Sequence, residues 1–374
     1  MSGLTPAYHA VERHIAHQGA WAAFQQNPTL FYYLSPTDFN LGVFSIAGMC
    51  GGLVLFMTGS GNALLLALLW VLYMSIVNVG QSWYSFGWES QLLETGFLAI
   101  FSRPLWSFEQ IPPANSESPL LLSVVCWGYQ WLIFRIMLGA GLIKLRGDDC
   151  WRDLTCMHYH YETQPIPSPL SFFFHFNAPS WHMFETFANH IIEVLLPWFT
   201  FLPRPLRILN GVMQIGFQLT LIASGNLSFL NWLTLLPSIW LLDDAIWSAL
   251  FPASTVARAR ENVVPNIEKE KASTGNLFPM SPRKLYTFIG ICLACLLVRE
   301  SVPVVLNLAS SRQAMNTSFS PLKIVNTYGA FGSITRERNE VVLQATDAVN
   351  LSGKVEWYDL EFKCKPGDVN RAPC

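Results

Sequence analysis

The chain has 374 residues, 51% of them hydrophobic and only 13% charged, a composition far on the apolar side of an average soluble domain. Its formal net charge of -2, with Lys and Arg scattered through short loops, leaves no basic footprint, which excludes nucleic acid as a partner. The expected fold class is an α-helical polytopic membrane protein, with the lipid bilayer as its surroundings and a small, incomplete lumenal β-module at its C-terminus.

Residues 1–40 form an N-terminal polar segment. No positively charged stretch with a cleavage site opens the chain, so no removable signal peptide is expected and insertion begins at the first hydrophobic span. Candidate spans follow at Leu41–Thr58, Ala63–Val79, Trp88–Phe101, Leu120–Ile143, Phe187–Leu202, Leu206–Ser224, Leu227–Leu242 and Leu285–Leu308. Residues 41–308 thus make a multi-span membrane domain, although several stretches fall below the roughly 20 residues that cross a bilayer. Trp88–Phe101 carries Glu89 and Glu94, so it is either a span or a re-entrant segment packed against protein. The last stretch contains Arg299 and Glu300, which assigns its lower half to the interface.

Orientation follows from charge. Residues 243–284 hold six basic side chains (Arg258, Arg260, Lys269, Lys271, Arg283 and Lys284), and the positive-inside rule puts this loop in the cytosol. Residues 309–374 are then lumenal, as is the large loop 144–186. The tail carries the acceptor triplets Asn316-Thr317-Ser318 and Asn350-Leu351-Ser352, which makes Asn316 and Asn350 glycosylation candidates on that side. Within the tail, Glu340–Thr346 and Lys354–Cys364 alternate apolar and polar residues around a turn at 350–353 and predict two strands. A sheet of so few strands is marginal in water.

Chemistry-bearing residues gather in the large loop. Cys150 and Cys156 are placed to form a disulfide through the turn Trp151-Arg152-Asp153-Leu154-Thr155, the alternatives being free thiols or pairing elsewhere. Cys364 and Cys374, the other cysteines in polar surroundings, are further disulfide candidates. His158, His160 and Cys156 resemble zinc ligands, but their spacing matches no metal signature, so a packed and hydrogen-bonded loop is expected, with no metal and no cofactor. Pro165, Pro167 and Pro169 stiffen the loop exit. The rings of Trp151, Tyr159, Tyr161 and Trp181 are candidates for contact with a client protein; the alternative is that they cover the loop's own core. Glu89, Glu94, Arg135, Lys144, His190 and Glu193 lie in or at apolar stretches, where charge is costly and marks a function or an ion-paired interior. His190 and Glu193, three apart, are suited to pair with each other or with Arg135. Cys292 and Cys295 have CxxC spacing but sit in an apolar helix without a βαβ pattern, so packing rather than redox chemistry is expected.

Several segments together resemble the lipase maturation factors: Trp88-Glu89-Ser90-Gln91-Leu92-Leu93-Glu94-Thr95-Gly96, Leu142-Ile143-Lys144-Leu145-Arg146-Gly147, the block from Cys150 to Pro169, Phe184-Glu185-Thr186-Phe187-Ala188-Asn189-His190 with Glu193, Asn326-Thr327-Tyr328-Gly329, and Glu356-Trp357-Tyr358-Asp359. The resemblance implies a multi-pass protein of the endoplasmic reticulum membrane that assists folding, assembly and maturation of secreted lipases such as lipoprotein lipase. It also implies that the region 144–185 engages those lipase clients and that the protein is not an enzyme. Family members usually have one more span before Gly3-Leu4-Thr5-Pro6 and a β-module continuing past Cys374, so a chain shortened at both ends is expected.

The membrane region is also distantly similar to vitamin K-dependent gamma-carboxylase, in which a lysine in a comparable stretch acts as base; Lys144 corresponds to it. An alternative function is therefore a membrane enzyme, carboxylase-like or thiol-redox, with its site among Lys144, His160, Glu89 and Glu94. The two readings differ in one geometric consequence. An enzyme brings these four side chains to one pocket, whereas a scaffold pairs them separately.

Overall fold

Polar residues at the ends of apolar runs set where the helices begin, and the bundle is built outward from the most deeply buried of them. The structure, a computed structural model, describes residues 5–111, 118–263, 282–351 and 353–362. Helices α1 (Ala7–Gln18) and α2 (Ala20–Gln26) bury Val11 and Ala23 with Phe31 and Tyr32 against Phe44, Leu72 and Val79. The N-terminal polar segment thus has an apolar side docked on the bundle. Thr37 caps α3 (Asp38–Thr58) by accepting from the Asn40 amide, and Asn62 caps α4 (Ala63–Val79) by accepting from Leu65. Then come α5 (Gly87–Ile100) and α6 (Pro119–Arg146), the central helix.

Three short helices, α7 (Asp149–Arg152), α8 (Met157–His160) and α9 (Ser171–His175), build the large loop. Helix α10 (Pro179–His190) runs into a π-helical turn, Ile191–Leu195, and then a 3-10 stretch, Leu196–Phe201, where Pro197 removes a backbone donor. Helices α11 (Arg204–Ser224), α12 (Leu230–Ile239), α13 (Asp244–Leu250), α14 (Ala253–Val263) and α15 (Pro282–Ala309) complete the helical part. Strands β1 (Leu343–Ala345) and β2 (Tyr358–Leu360) pair antiparallel, with Leu343 opposite Leu360. They are shorter than the stretches 340–346 and 354–364 expected to be strands.

Among the described residues, four helices are long and apolar enough to cross a membrane: Asp38–Thr58, Pro119–Arg146, Arg204–Ser224 and Lys284–Ala309. A fifth is added if α12 and α13, bent by 112° at their junction, count as one span. Of the eight stretches expected at or near spanning length, four are thus helices of full length and apolarity, or five with the bent pair. Ala63–Val79 and Gly87–Ile100 are helical but short, and Phe187–Leu202 is broken by the π and 3-10 turns. The short helices are tolerated because they pack against longer neighbours: Trp70 on α4 donates to the Leu93 carbonyl on α5, and Tyr129 on α6 donates to that of Thr95.

Helices α6 and α15 lie side by side and parallel. Leu121 lies against Gly290, Leu297 against Gly128 and Leu308 against Gly139, and Trp131 donates to the Ser301 hydroxyl at 2.9 Å. Their C-terminal ends therefore emerge together, and the large loop after α6 shares one end of the bundle with the tail after α15. Cys364, Cys374 and residues 264–281 of the charged loop lie outside the described residues.

Candidate functional site

At that shared end the loop and the tail are joined. Asp148 starts α7 by accepting from the Cys150 amide at 3.0 Å. Cys150 and Cys156 are disulfide-bonded with their Cα atoms 4.8 Å apart, which folds the turn back on itself with Leu154 at φ 60°. The disulfide packs with Trp151 and Ile334, flanked by Tyr159 and Phe331. Trp151 donates its indole N–H to the Phe331 carbonyl at 2.7 Å, and the Asp148 amide donates to Gly332 at 2.9 Å. The backbones approach so closely that a Cβ at Gly147 would stand 2.0 Å from the Gly332 oxygen, so only glycine fits. Further along, Arg338 donates to the carbonyls of Gln164 and Pro165, the latter at 2.9 Å, while its Nε is paired with Glu340. A disulfide loop and a tail segment more than 170 residues later in the chain form one continuous surface.

Below this surface lie separate polar networks. The Lys144 ammonium donates to both Glu193 carboxylate oxygens, at 2.6 and 2.7 Å, and to Asn189 Oδ1 at 3.1 Å, which uses all three of its donors. Glu193 stands on the π-helical turn, packed against Gly141. His190 instead donates its Nε2–H to the Trp151 carbonyl at 2.9 Å. The expected pairing of Glu193 with His190 or Arg135 is therefore corrected. A π turn breaks the i,i+3 facing that the spacing implied, and Lys144 reaches the carboxylate first.

Glu94 and Arg135, each 1% exposed, form a buried ion pair. Glu94 also accepts from the Asn326 amide at 3.0 Å and the Tyr328 hydroxyl at 2.7 Å, and Arg135 donates to the Asn326 carbonyl at 2.6 Å. These bonds hold the tail inside the helix bundle. Glu89 accepts from Tyr73 and, at 3.0 Å, from the Trp88 indole. Lys144, Glu94 and Glu89 thus have separate sets of partners, and they do not converge on one pocket as the enzyme alternative required.

His160 is the exception, since it lies near Lys144. Burial first, and the Lys144 charge second, hold its pKa down to about 4. The neutral ring faces Gln164, with 3.3 Å between nitrogens, and meets Phe331 edge-on at 5.2 Å. Tyr161 is pushed above its ordinary value by burial and by Glu185, to which its hydroxyl donates at 3.0 Å.

The four aromatic contact candidates divide by location. Trp151 (2% exposed) and Tyr161 (4%) belong to the interior of the loop, the alternative left open for these rings: each packs inward because its polar tip finds a partner there. Tyr159 is partly buried beside the Arg336 guanidinium, 5.8 Å away, and Trp181 is 48% exposed. The sulfur of Cys156 is committed to the disulfide, so it is withdrawn from any metal set with His158 and His160. Cys292 and Cys295 are free thiols on the exposed side of α15. Asn316 and Asn350 are both exposed. Sequence reasoning overlooked Asn189 and Arg338 and did not assign Asn326 and Tyr328 a place in a charge network; a polar Asn-Thr-Tyr run just after a span was the available signal.

Fold and site together define an α-helical polytopic membrane protein whose disulfide-stapled loop is docked on its own C-terminal segment. Residues 1–249 match the family described as the Lipase maturation factor transmembrane domain, and residues 324–374 match the Lipase maturation factor C-terminal domain. The chain belongs to the lipase maturation factor family. It is 51% identical over 380 aligned positions to lipase maturation factor 1 of Bos taurus, covering 100% of this chain and 66% of the relative, and 52% identical over 369 to that of Mus musculus, covering 97% and 63%. It is 34% identical over 251 positions to lipase maturation factor 2 of Xenopus laevis, covering 65% of this chain and 34% of that protein. The chain therefore spans just under two thirds of the length of the first two relatives. No solved structure matches it.

Proposed function

We propose that this chain is a non-enzymatic factor of the endoplasmic reticulum membrane that assists folding, assembly and maturation of secreted lipases such as lipoprotein lipase. The names of its relatives support the lipase role. The observation that carries the mechanism is the joining of loop and tail, through Trp151 to Phe331 and Arg338 to Gln164 and Pro165. A preorganised surface loses little conformational entropy when a client docks. The spans supply the membrane frame and the buried ion pairs hold the tail to it.

Lys144 serves this frame as a bound cation rather than a base, because Glu193 and Asn189 occupy its donors. The loop and tail face the lumen in this reading, with residues 243–284 in the cytosol. Producing the chain in cells that make lipoprotein lipase but lack maturation activity should raise secreted lipase activity per molecule of lipase. Arg338→Ala should lower that gain while the chain itself stays in the membrane. No gain from the unaltered chain, at normal abundance, would refute the proposal.

A further inference from the structure

From Thr163 to Phe184 the large loop contains no Asp, Glu, Lys or Arg, which is unusual for a segment otherwise destined for water. Its centre is α9, a single amphipathic turn. Ser171 faces inward and is buried, and the Phe174 ring stacks on Tyr161 with centroids 5.6 Å apart. The opposite side carries Phe172, Phe173 and Phe176, which are 63%, 68% and 69% exposed. Their rings cluster together, Phe172 lying 5.7 Å from Phe173 and 4.7 Å from Phe176, and Phe176 also meets the His175 ring edge-on at 5.2 Å.

The depth of this cluster is set by a spanning helix. The Ser171 hydroxyl donates to the carbonyl of Ser224 at 2.7 Å, Ser168 donates to Ala223 at 3.0 Å, and Gln164 donates to Ser224 at 3.2 Å. Ser224 is the last residue of α11, one of the four helices able to cross the membrane. Satisfying the end carbonyls of a span at the level where it leaves the bilayer fixes α9 at that same level. Three adjacent exposed phenylalanines in a charge-free segment at that depth match an interfacial anchor.

We infer that α9 is a monotopic membrane anchor, with Phe172, Phe173 and Phe176 inserted into the headgroup and acyl boundary beside α11. The occupant of this apolar patch is lipid rather than a client protein, because the patch is continuous with the lipid-facing perimeter of α11, where Leu219 is 50% exposed. The anchor would tether the loop's exit to the membrane and leave the disulfide and the tail as the part of the surface that faces water.

The test uses the full chain in microsomes from cells that also make lipoprotein lipase. The photoreactive residue p-benzoylphenylalanine replaces Phe173 in one variant, Phe176 in a second, and Glu337 of the tail in a third. After irradiation, adducts to radiolabelled phospholipid acyl chains are expected at 173 and 176 and not at 337. Adducts to lipase or any other protein at 173 and 176, or no lipid adduct at either, would overturn the inference. The two ring positions keep the test decisive if one variant fails to accumulate.

Discussion

The indole N–H of Trp151 donates to the carbonyl of Phe331 at 2.7 Å, linking the disulfide turn to a tail segment that enters the bundle again at Tyr328 through Glu94. Replacing Trp151 by Phe keeps a ring and removes this bond, at a cost of about 1 kcal/mol. Trp151→Ala also opens a cavity, at a cost of about 3–5 kcal/mol. Thermal unfolding in detergent, with limited proteolysis of the tail as a second readout, should rank the two in that order; equal and negligible effects would mean that loop and tail are held elsewhere.

The Glu94–Arg135 pair should be fragile to half-removal. Glu94→Gln leaves a buried guanidinium without its counter-charge, which costs on the order of 3–5 kcal/mol. Tyr328→Phe removes one hydrogen bond to the same carboxylate and should cost only about 1 kcal/mol. The double variant Glu94→Gln/Arg135→Met should recover much of the loss, because no unpaired charge remains. If it is as damaged as Glu94→Gln, packing rather than charge pairing is what the site supplies.

Cys150 and Cys156 close a short loop, for which the chain-entropy argument gives about 2 kcal/mol. Cys150→Ser/Cys156→Ser should loosen α7 and α8 first, since these helices flank the bond. Hydrogen exchange should rise there with little change in α6; a uniform rise across the spans would show that the loop is coupled to the whole bundle.

His160 predicts an acid-sensitive loop. Its pKa in the folded protein, about 4, lies below its unfolded value near 6.5, so the unfolded chain binds the proton first as pH falls. The associated stability is complete above about pH 6.5 and is lost as pH drops toward 4. Lys144, held by Glu193, is the cation that opposes protonation from the neighbouring helix. At about 1.4 kcal/mol per pH unit, the loss is on the order of 3 kcal/mol. Protection factors of residues 149–176, taken relative to the intrinsic exchange rate at each pH, should fall between pH 6.5 and 4.5, and His160→Gln should flatten that dependence; an unchanged slope would assign the sensitivity to another group.

Topology yields the fifth expectation. Asn316 and Asn350 should be modified in microsomes, whereas an acceptor site placed within residues 243–284 should not. The reverse pattern would invert the orientation drawn from charge.

Much of the membrane architecture was readable in the chain because a span is a local property: Leu41–Thr58 and Leu206–Ser224 announce themselves by composition. The interior was less readable because its partners are distant in sequence. Lys144 meets Glu193 49 residues away, and Glu94 meets the Asn326 amide 232 residues away; no periodicity encodes either meeting. The π turn at Ile191–Leu195 shifted the phase on which the expected His190–Glu193 pairing rested. The sequence left open whether Trp151 and Tyr161 face a client or the loop's own core, because an aromatic ring in a polar loop looks the same in either case. Arg338 was legible only as a surface charge, since backbone carbonyls, its acceptors here, have no sequence signature.

Capture of newly made lipase tests the central claim most directly. Lipoprotein lipase is recovered with the affinity-tagged chain from detergent-solubilised membranes, and the amount is divided by the amount of the chain. Tyr159→Ala/Trp181→Ala, which alters exposed and partly exposed rings of the surface, should cut this ratio several-fold with the chain's abundance unchanged. Trp151→Ala and Tyr161→Ala, which damage the interior, should instead lower the abundance of the chain. An unchanged ratio in the Tyr159/Trp181 variant, or a fall in lipase only in step with the loss of the chain, would contradict a client-holding surface made of loop and tail.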